Sequence, residues 1–345
     1  MGVGRWACNA CKQFAQVLFA RVRFRAVRVM VLGVLIASFC SIFVNLHLSP
    51  VHAATEPPAD WSFYVQMADT TTAYNLGHNQ GTYDASHSNS NSEVVLDFGG
   101  QKSDLSGAIM VFNAGDISNA QIESVAENFA RGYYGGTGAD TISVLTLGIG
   151  TNNSAYHVDY NGGYQWAQLV GTINTYVQQQ GWGTQVHVIG ANDIEPGFDD
   201  YADTYNWVQG YAGYGSAYLN YGSADGCSQT DSSGTSACNN GIGGWTQADV
   251  WYVSWGAFPA MPLPEIYYSS MALQWTMISL YGAQHKGGAV PMQGPWDEYD
   301  ECPSTLTSAQ AWTDFSNDLN SYSQTKQTMP YAAEIHTEGS NTQRC

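Results

Sequence analysis

The run Val186-His187-Val188-Ile189-Gly190-Ala191 leads into Asn192-Asp193-Ile194-Glu195 and is stopped by Pro196-Gly197. An apolar, β-branched run bounded by chain breakers predicts a buried strand. Side chains alternate faces along a strand, so Asp193 and Glu195 share one face. Two carboxyls at the mouth of a strand repel one another's charge. One of them then keeps a proton near neutral pH, as a general acid must.

The rest of the chain supplies elements to match. Strands are expected at Val94–Gly99, Ala108–Asn113, Thr141–Ile149, Ala217–Gly222, Trp251–Gly256, Pro264–Tyr268 and Ala289–Gly294. Helical spacing covers Ser118–Tyr133, Tyr164–Gln180, Asp200–Tyr211, Ser269–Gln284 and Thr307–Ser323. The polar segment Thr82–Ser92 reads as a surface loop. Eight strands with intervening helices predict an α/β fold, a (β/α)8 TIM-like barrel with some short or missing helices. An open doubly wound sheet is the other arrangement. It lacks the Gly-rich phosphate loop that usually accompanies it, Gly148-Ile149-Gly150 being too degenerate to count.

Residues 1–53 read as a leader. Arg21, Arg23, Arg25 and Arg28 precede an apolar run from Val29 to Leu46, and Val51-His52-Ala53 offers the small residues a signal peptidase reads. The leader is either cleaved after Ala53 or Ala54, or kept as a signal anchor. Both readings put residues 54–345, a single domain, outside the cytoplasm, secreted or at the cell surface. Six of the 11 basic residues lie in the leader, which leaves 5 against 29 acidic residues in the remainder. That field opposes nucleic acid and anionic membrane surfaces as partners. Cys227, Cys238, Cys302 and Cys345 remain beyond the leader, and two disulfides are expected, Cys227–Cys238 and Cys302–Cys345.

In a barrel the working residues sit at the C-terminal ends of the strands. The candidates are Asp97, Asn113, Asn152, Asn192, Asp193, Glu195, Tyr221, Trp255, Glu265, Tyr267, Gln293 and Glu298. Acids, amides and aromatics gather there almost without cations, since Lys286 is the only Lys or Arg between Arg131 and Lys326. Glycoside hydrolysis uses such a set: two carboxyls for acid/base and nucleophile, aromatic faces for stacking, amides for hydroxyls.

The chain resembles the TIM-barrel glycoside hydrolase superfamily. The motifs are Ser254-Trp255-Gly256, Leu263-Pro264-Glu265-Ile266-Tyr267 and Asn192-Asp193-Ile194-Glu195-Pro196. One group of those hydrolases ends its fourth strand in Asn-Glu. The chitinase-like group ends it in Asp-x-Glu after further aspartates, where this chain has Val188 and Ala191. The resemblance implies an acid/base at Asp193 or Glu195, with Glu195 preferred and Asp193 raising its pKa, and Glu265 as nucleophile, with Asp97 and Glu298 as substitutes for it. Asp97, Asn192, Tyr221, Trp255, Tyr267, Gln293 and Glu298 are the expected substrate contacts. The expected partner is a polysaccharide or cell-wall glycan, taken by a monomer without cofactor or catalytic metal. A barrel that has lost catalysis and only binds glycan is the alternative. Asp199, Asp200, Asp225 and Asp231 offer oxygen ligands for a structural calcium, without an EF-hand pattern. A peptidase or esterase is disfavoured by the missing Gly-x-Ser-x-Gly elbow.

Overall fold

A computed structural model of the chain describes residues 56–87, 91–138, 140, 142–154 and 158–338. The leader and Cys345 lie outside the described residues. So the cleavage or anchoring of residues 1–53 and the expected Cys302–Cys345 bridge have no structural account. The Cys227–Cys238 disulfide is present and closes an 11-residue separation. No described helix is long and apolar enough to cross a membrane.

The fold is α/β, built on a curled parallel sheet. In chain order the elements are β1 (Ala59–Tyr64), α1 (Thr70–Ser86), β2 (Asn91–Gln101), the antiparallel hairpin β3 (Gly107–Met110) and β4 (Gly115–Ser118), and α2 (Asn119–Gly136). They continue with β5 (Val144–Asn152), α3 (Tyr160–Gln179), β6 (Val186–Asp193), α4 (Tyr201–Tyr214), β7 (Tyr218–Asn220) and α5 (Gln247–Trp251). β8 (Ala260–Pro262), α6 (Ser269–His285), β9 (Trp296–Asp297), α7 (Ser308–Ser321) and β10 (Ala332–Thr337) complete the described chain. Pairing follows the order β8-β7-β6-β5-β2-β1-β10-β9, every step parallel. Past β8, Ile266 donates its N–H to Trp296 O and Trp296 donates to Pro264 O, both at 2.8 Å.

Strand alternation sorts the apolar residues into two cores. Val94, Leu96 and Phe98 of β2 pack toward the helices in the larger cluster. Val95, Ala191, Leu219, Leu263, Trp296, Ala333 and Ile335 form a smaller cluster on the concave side. There β5 contributes glycines. A Cβ on Gly148 would stand 3.0 Å from Val95 Cγ2 and 3.1 Å from Ala191 Cβ, so the concave core leaves it no room.

Several expected elements need correction. Trp251–Gly256 is not a strand. Thr246 and Asp249 form a capping box that starts α5, which runs on into a π-helical turn over Tyr252–Gly256. Ala108–Asn113 does not join the parallel path, since Gly107–Met110 turns back as the hairpin. The seventh strand comes earlier than expected, at Ala260–Pro262, and only Glu265 of the expected Pro264–Tyr268 bridges to Trp296. Ala289–Gly294 is irregular, and the strand there is Trp296–Asp297.

Within the expected loop Thr82–Ser92, helix α1 continues to Ser86 and β2 already begins at Asn91. α1 buries Ala73, Gly77, Gln80, Gly81 and Asp84, small or polar residues without an apolar stripe. Its glycines let it lie close to α2, where a Cβ on Gly77 would meet Phe129 O at 2.1 Å. β1 and β10 had no sequence expectation. β1 turns polar residues to the concave side. Asp60 Oδ2 accepts from Glu93 N at 2.8 Å and Ser62 Oγ accepts from Val95 N at 2.9 Å. Those side chains join β1 to β2 below the backbone pairing at Phe63–Leu96.

Candidate active site

Each candidate acid extends the concave face of its strand by one or two alternations. Asp97 follows Val95, Asp193 and Glu195 follow Ala191, Glu265 follows Leu263, and Glu298 follows Trp296. Parity therefore carries apolar residues into the core and then, past the C-terminal edge, places carboxyls over it. One carboxylate oxygen from each of Asp193, Glu195 and Glu265 lies within 4.8 Å of the others. The acids that the sequence placed on two separate segments thus meet.

The supports are polar and buried. Asn153 clamps the Glu195 backbone: its Oδ1 accepts from Glu195 N at 3.0 Å and its Nδ2 donates to Glu195 O at 3.1 Å. Asn220 Oδ1 accepts from Ile194 N at 3.3 Å while its Nδ2 donates to Ser254 Oγ at 2.7 Å. Tyr267 donates its hydroxyl to Glu265 Oε1 at 2.9 Å. Asp97 Oδ1 accepts from Gly99 N at 2.7 Å. A Cβ on Gly197 would stand 3.3 Å from Asp225 Oδ2 and 4.0 Å from Glu195 Oε2, so Asp225 flanks the trio through that turn.

Burial without counterions dominates the electrostatics. Glu195 is pushed up to about 8, first by burial and then by the charges of Asp225 and Glu298, with Ser223 pulling the other way. Asp193 is raised well above the ordinary carboxyl value by burial, then by Glu195, Asp97, Glu298 and Asp225. Glu265 is raised well above it by burial, Glu195 and Asp193, and the Tyr267 hydroxyl opposes that shift. No basic side chain is among the groups acting on these three. Each carboxyl of the trio opposes the ionisation of its neighbours.

The remaining expected contacts divide. Tyr267 and Glu298 stand with the trio, since Glu298 acts on Glu195, Asp193 and Glu265. Tyr221 forms the floor: it is buried, packs against Trp296 with ring centroids 4.8 Å apart and planes tilted by 42°, and donates its hydroxyl to Thr151 O at 2.9 Å. Asn192 is buried beside it with an unpartnered Oδ1, and its carbonyl accepts from Tyr221 N. Trp255 lies in the π-helical turn, half-buried against the helix-side core. Gln293 lies before β9, its backbone bonded to Pro262 and Tyr331.

Three further residues border the site. Tyr64, at the end of β1, is raised by burial and by Glu298, Asp97, Glu265 and Asp193, so it faces the acids. Phe112, at the tip of the β3–β4 hairpin, sets its ring edge-on to Tyr64 at 5.0 Å and is 54% exposed. Asp225 joins the acids, and among the described residues it forms no ligating group with Asp199, Asp200 or Asp231. The sequence signal for Tyr64 was the alternation of Asp60, Ser62 and Tyr64 with Trp61, Phe63 and Val65. No protein-family model matches the chain, and no curated protein matches it.

Proposed function

We propose that this chain is an exported glycoside hydrolase that cleaves a polysaccharide or cell-wall glycan with retention of configuration. The observation that carries the reading is the approach of Glu195 and Glu265 to within 4.8 Å at the C-terminal edge of a parallel sheet. Retaining enzymes hold their two carboxyl groups about 5–5.5 Å apart and inverting ones about 6.5–9.5 Å, to admit a water; an approach within 4.8 Å between one oxygen of each group favours the retaining class. The hydrogen bonds from Ile266 and Trp296 past β8 support a sheet that closes into a TIM-like barrel, strands in sequence order.

In this mechanism Glu195, with its pKa at about 8, holds a proton at neutral pH and gives it to the departing glycosidic oxygen. Glu265 acts as the carboxylate, a state that burial, Glu195 and Asp193 oppose and the Tyr267 hydroxyl favours; it attacks the anomeric carbon as the bond to the departing oxygen breaks and forms the glycosyl ester. Glu195, now a carboxylate, takes a proton from a water whose oxygen attacks the anomeric carbon; the ester bond to Glu265 breaks, the sugar leaves and both groups are restored. The exposed edge of Phe112 beside Tyr64 offers an apolar face to a sugar ring. An acid-lined mouth on which no basic group acts among the described residues suits neutral or cationic sugars and repels carboxylated or sulfated ones.

A glycan-binding barrel without catalysis needs no second carboxyl opposite Glu195, and the position of Glu265 favours the enzyme over it. Screening residues 54–345 on polysaccharides with reducing-end detection tests the proposal. Glu195→Gln and Glu265→Gln should each abolish release while ligand binding persists. Equal activity of either variant and the parent on every cleaved glycan would remove the assignment.

A further inference from the structure

The seam between β9 and β10 carries a second group of ligating side chains. β9 is two residues long, and its pairing sets Asp297 beside Glu334. Their neighbours Trp296, Ala333 and Ile335 take the concave side, so Asp297, Glu334 and His336 face the opposite way from the acid trio. One oxygen each of Asp300 and Glu334 and one ring nitrogen of His336 lie within 4.8 Å of one another. The loop is tied to the strand here, because Asp300 N donates to Glu334 Oε1 at 2.9 Å. The His336 ring packs near Trp61 and Phe63, at centroid distances of 6.2 and 6.3 Å.

Two unmet polar atoms point to a ligand. Asp297 is fully buried, at 0% exposure, beside Glu334, and its Oδ2 makes no close hydrogen bond although the Ser308 hydroxyl acts on the same carboxyl. His336 Nε2 is buried without a partner as well, and Nδ1 stands 3.6 Å from Asp300 Oδ2, too far for a good hydrogen bond. A buried carboxylate oxygen and an uncommitted imidazole are costly unless something binds them.

We propose that Asp300, Glu334 and His336 bind a divalent cation of the zinc class, with a water in the fourth position. One imidazole among carboxylates selects zinc over calcium or magnesium, which prefer oxygen alone. Tetrahedral zinc with bonds of about 2.0–2.2 Å keeps its ligand atoms about 3.3 Å apart, so the trio closes by roughly 1–1.5 Å on binding. The exposed Asp300 side chain can make that movement. Binding would tie the segment from Glu298 to Cys302 to β10, the segment that also brings Glu298 to the acids. The cation site does not depend on the hydrolase proposal.

The experiment is calorimetric titration of the chelator-stripped chain with zinc chloride, beside calcium and magnesium chloride. The parent, Asp300→Asn, His336→Gln and a Glu195→Gln/Glu265→Gln double variant are compared. The exposed position of Asp300 makes its variant safe for folding, which circular dichroism checks for all four. One equivalent of zinc should bind the parent and the double variant with micromolar or tighter affinity, and calcium and magnesium should not compete. Asp300→Asn and His336→Gln should each weaken zinc at least about 10-fold. Absence of zinc binding to the parent would overturn the proposal. So would full retention in both seam variants, or loss in the double variant, which would move the ion to the acid trio.

Discussion

Replacing Glu195 with Gln should make the protein more stable, and the gain should depend on pH. The ordinary glutamate value is 4.5 and the folded value is about 8. The folded state therefore binds this proton more tightly than the unfolded chain does. Linkage then makes the parent lose stability as pH rises from about 4.5 through about 8, because folding must retain a proton or bury a charge. Each pH unit in that window costs about 1.4 kcal/mol, which gives about 3 kcal/mol at pH 7 and about 5 kcal/mol by pH 9. Gln keeps the shape and loses the charge, and its amide can donate to the neighbouring acids. Urea unfolding should show a gain of about 3 kcal/mol for Glu195→Gln at pH 7, and thermal melts a rise of about 6 °C. At pH 4 the two proteins should unfold alike. A gain of equal size at pH 4 and pH 8, or a loss at pH 8, would refute the picture of a buried acid short of counterions.

Other outcomes follow from single contacts. Tyr267→Phe removes the donor to Glu265, a bond to a charged group worth about 1.5–3 kcal/mol. The acid limb of the rate profile should move up by about 1–2 pH units, and an unmoved limb would mean that Glu265 is not the ionised group. Gly150→Ala places a Cβ 2.9 Å from Leu96 O, Tyr221 Oη and Val95 Cγ1, and should cost about 1–3 kcal/mol in urea unfolding. A neutral result would show that the concave core can yield. Phe112 has left-handed backbone (φ 58°, ψ 31°). Phe112→Gly should leave stability within about 1 kcal/mol, as relief of strain offsets the entropy of glycine. In a Glu195→Gln background the same change should weaken oligosaccharide binding about 10-fold, by loss of a stacking face. Unchanged affinity would take Phe112 out of the binding surface.

The long elements were legible because each carries its own periodicity. β6 announced itself through an apolar run interrupted only by His187, and α2 through the spacing of Ile122, Val125, Ala126 and Phe129, while the structure chose Ser118 over Asp116 as its cap. Where the local signal is weak or contrary, the reading failed. α1 buries glycines and polar groups, which look like loop residues until α2 lies against them. Trp251–Gly256 has β-like composition, yet the cap upstream at Thr246 starts a helix that its backbone bonds continue. β9 holds two residues, too few for any pattern, and exists because Glu334 and Pro264 stand on either side of it. At the site Asp193, Glu195 and Glu265 could be named because strand-end carboxyls stand out. Asn153 could not, Tyr64 had only the alternation of its strand, and Asp225 was legible as an acid but not as a neighbour of Glu195, since these roles depend on what each residue approaches.

The order of residues by itself determined the face on which each carboxyl would point, because alternation along an extended backbone is a local property. It also determined the scarcity of cations, so that acids brought together would meet burial and one another. Only the tertiary structure decided that Glu195 and Glu265, seventy positions apart in sequence, come within reach. That decision rests on the curl of the parallel sheet and the close fit of its concave core. Curvature is a sum over many strand pairings, and no short stretch of sequence contains it.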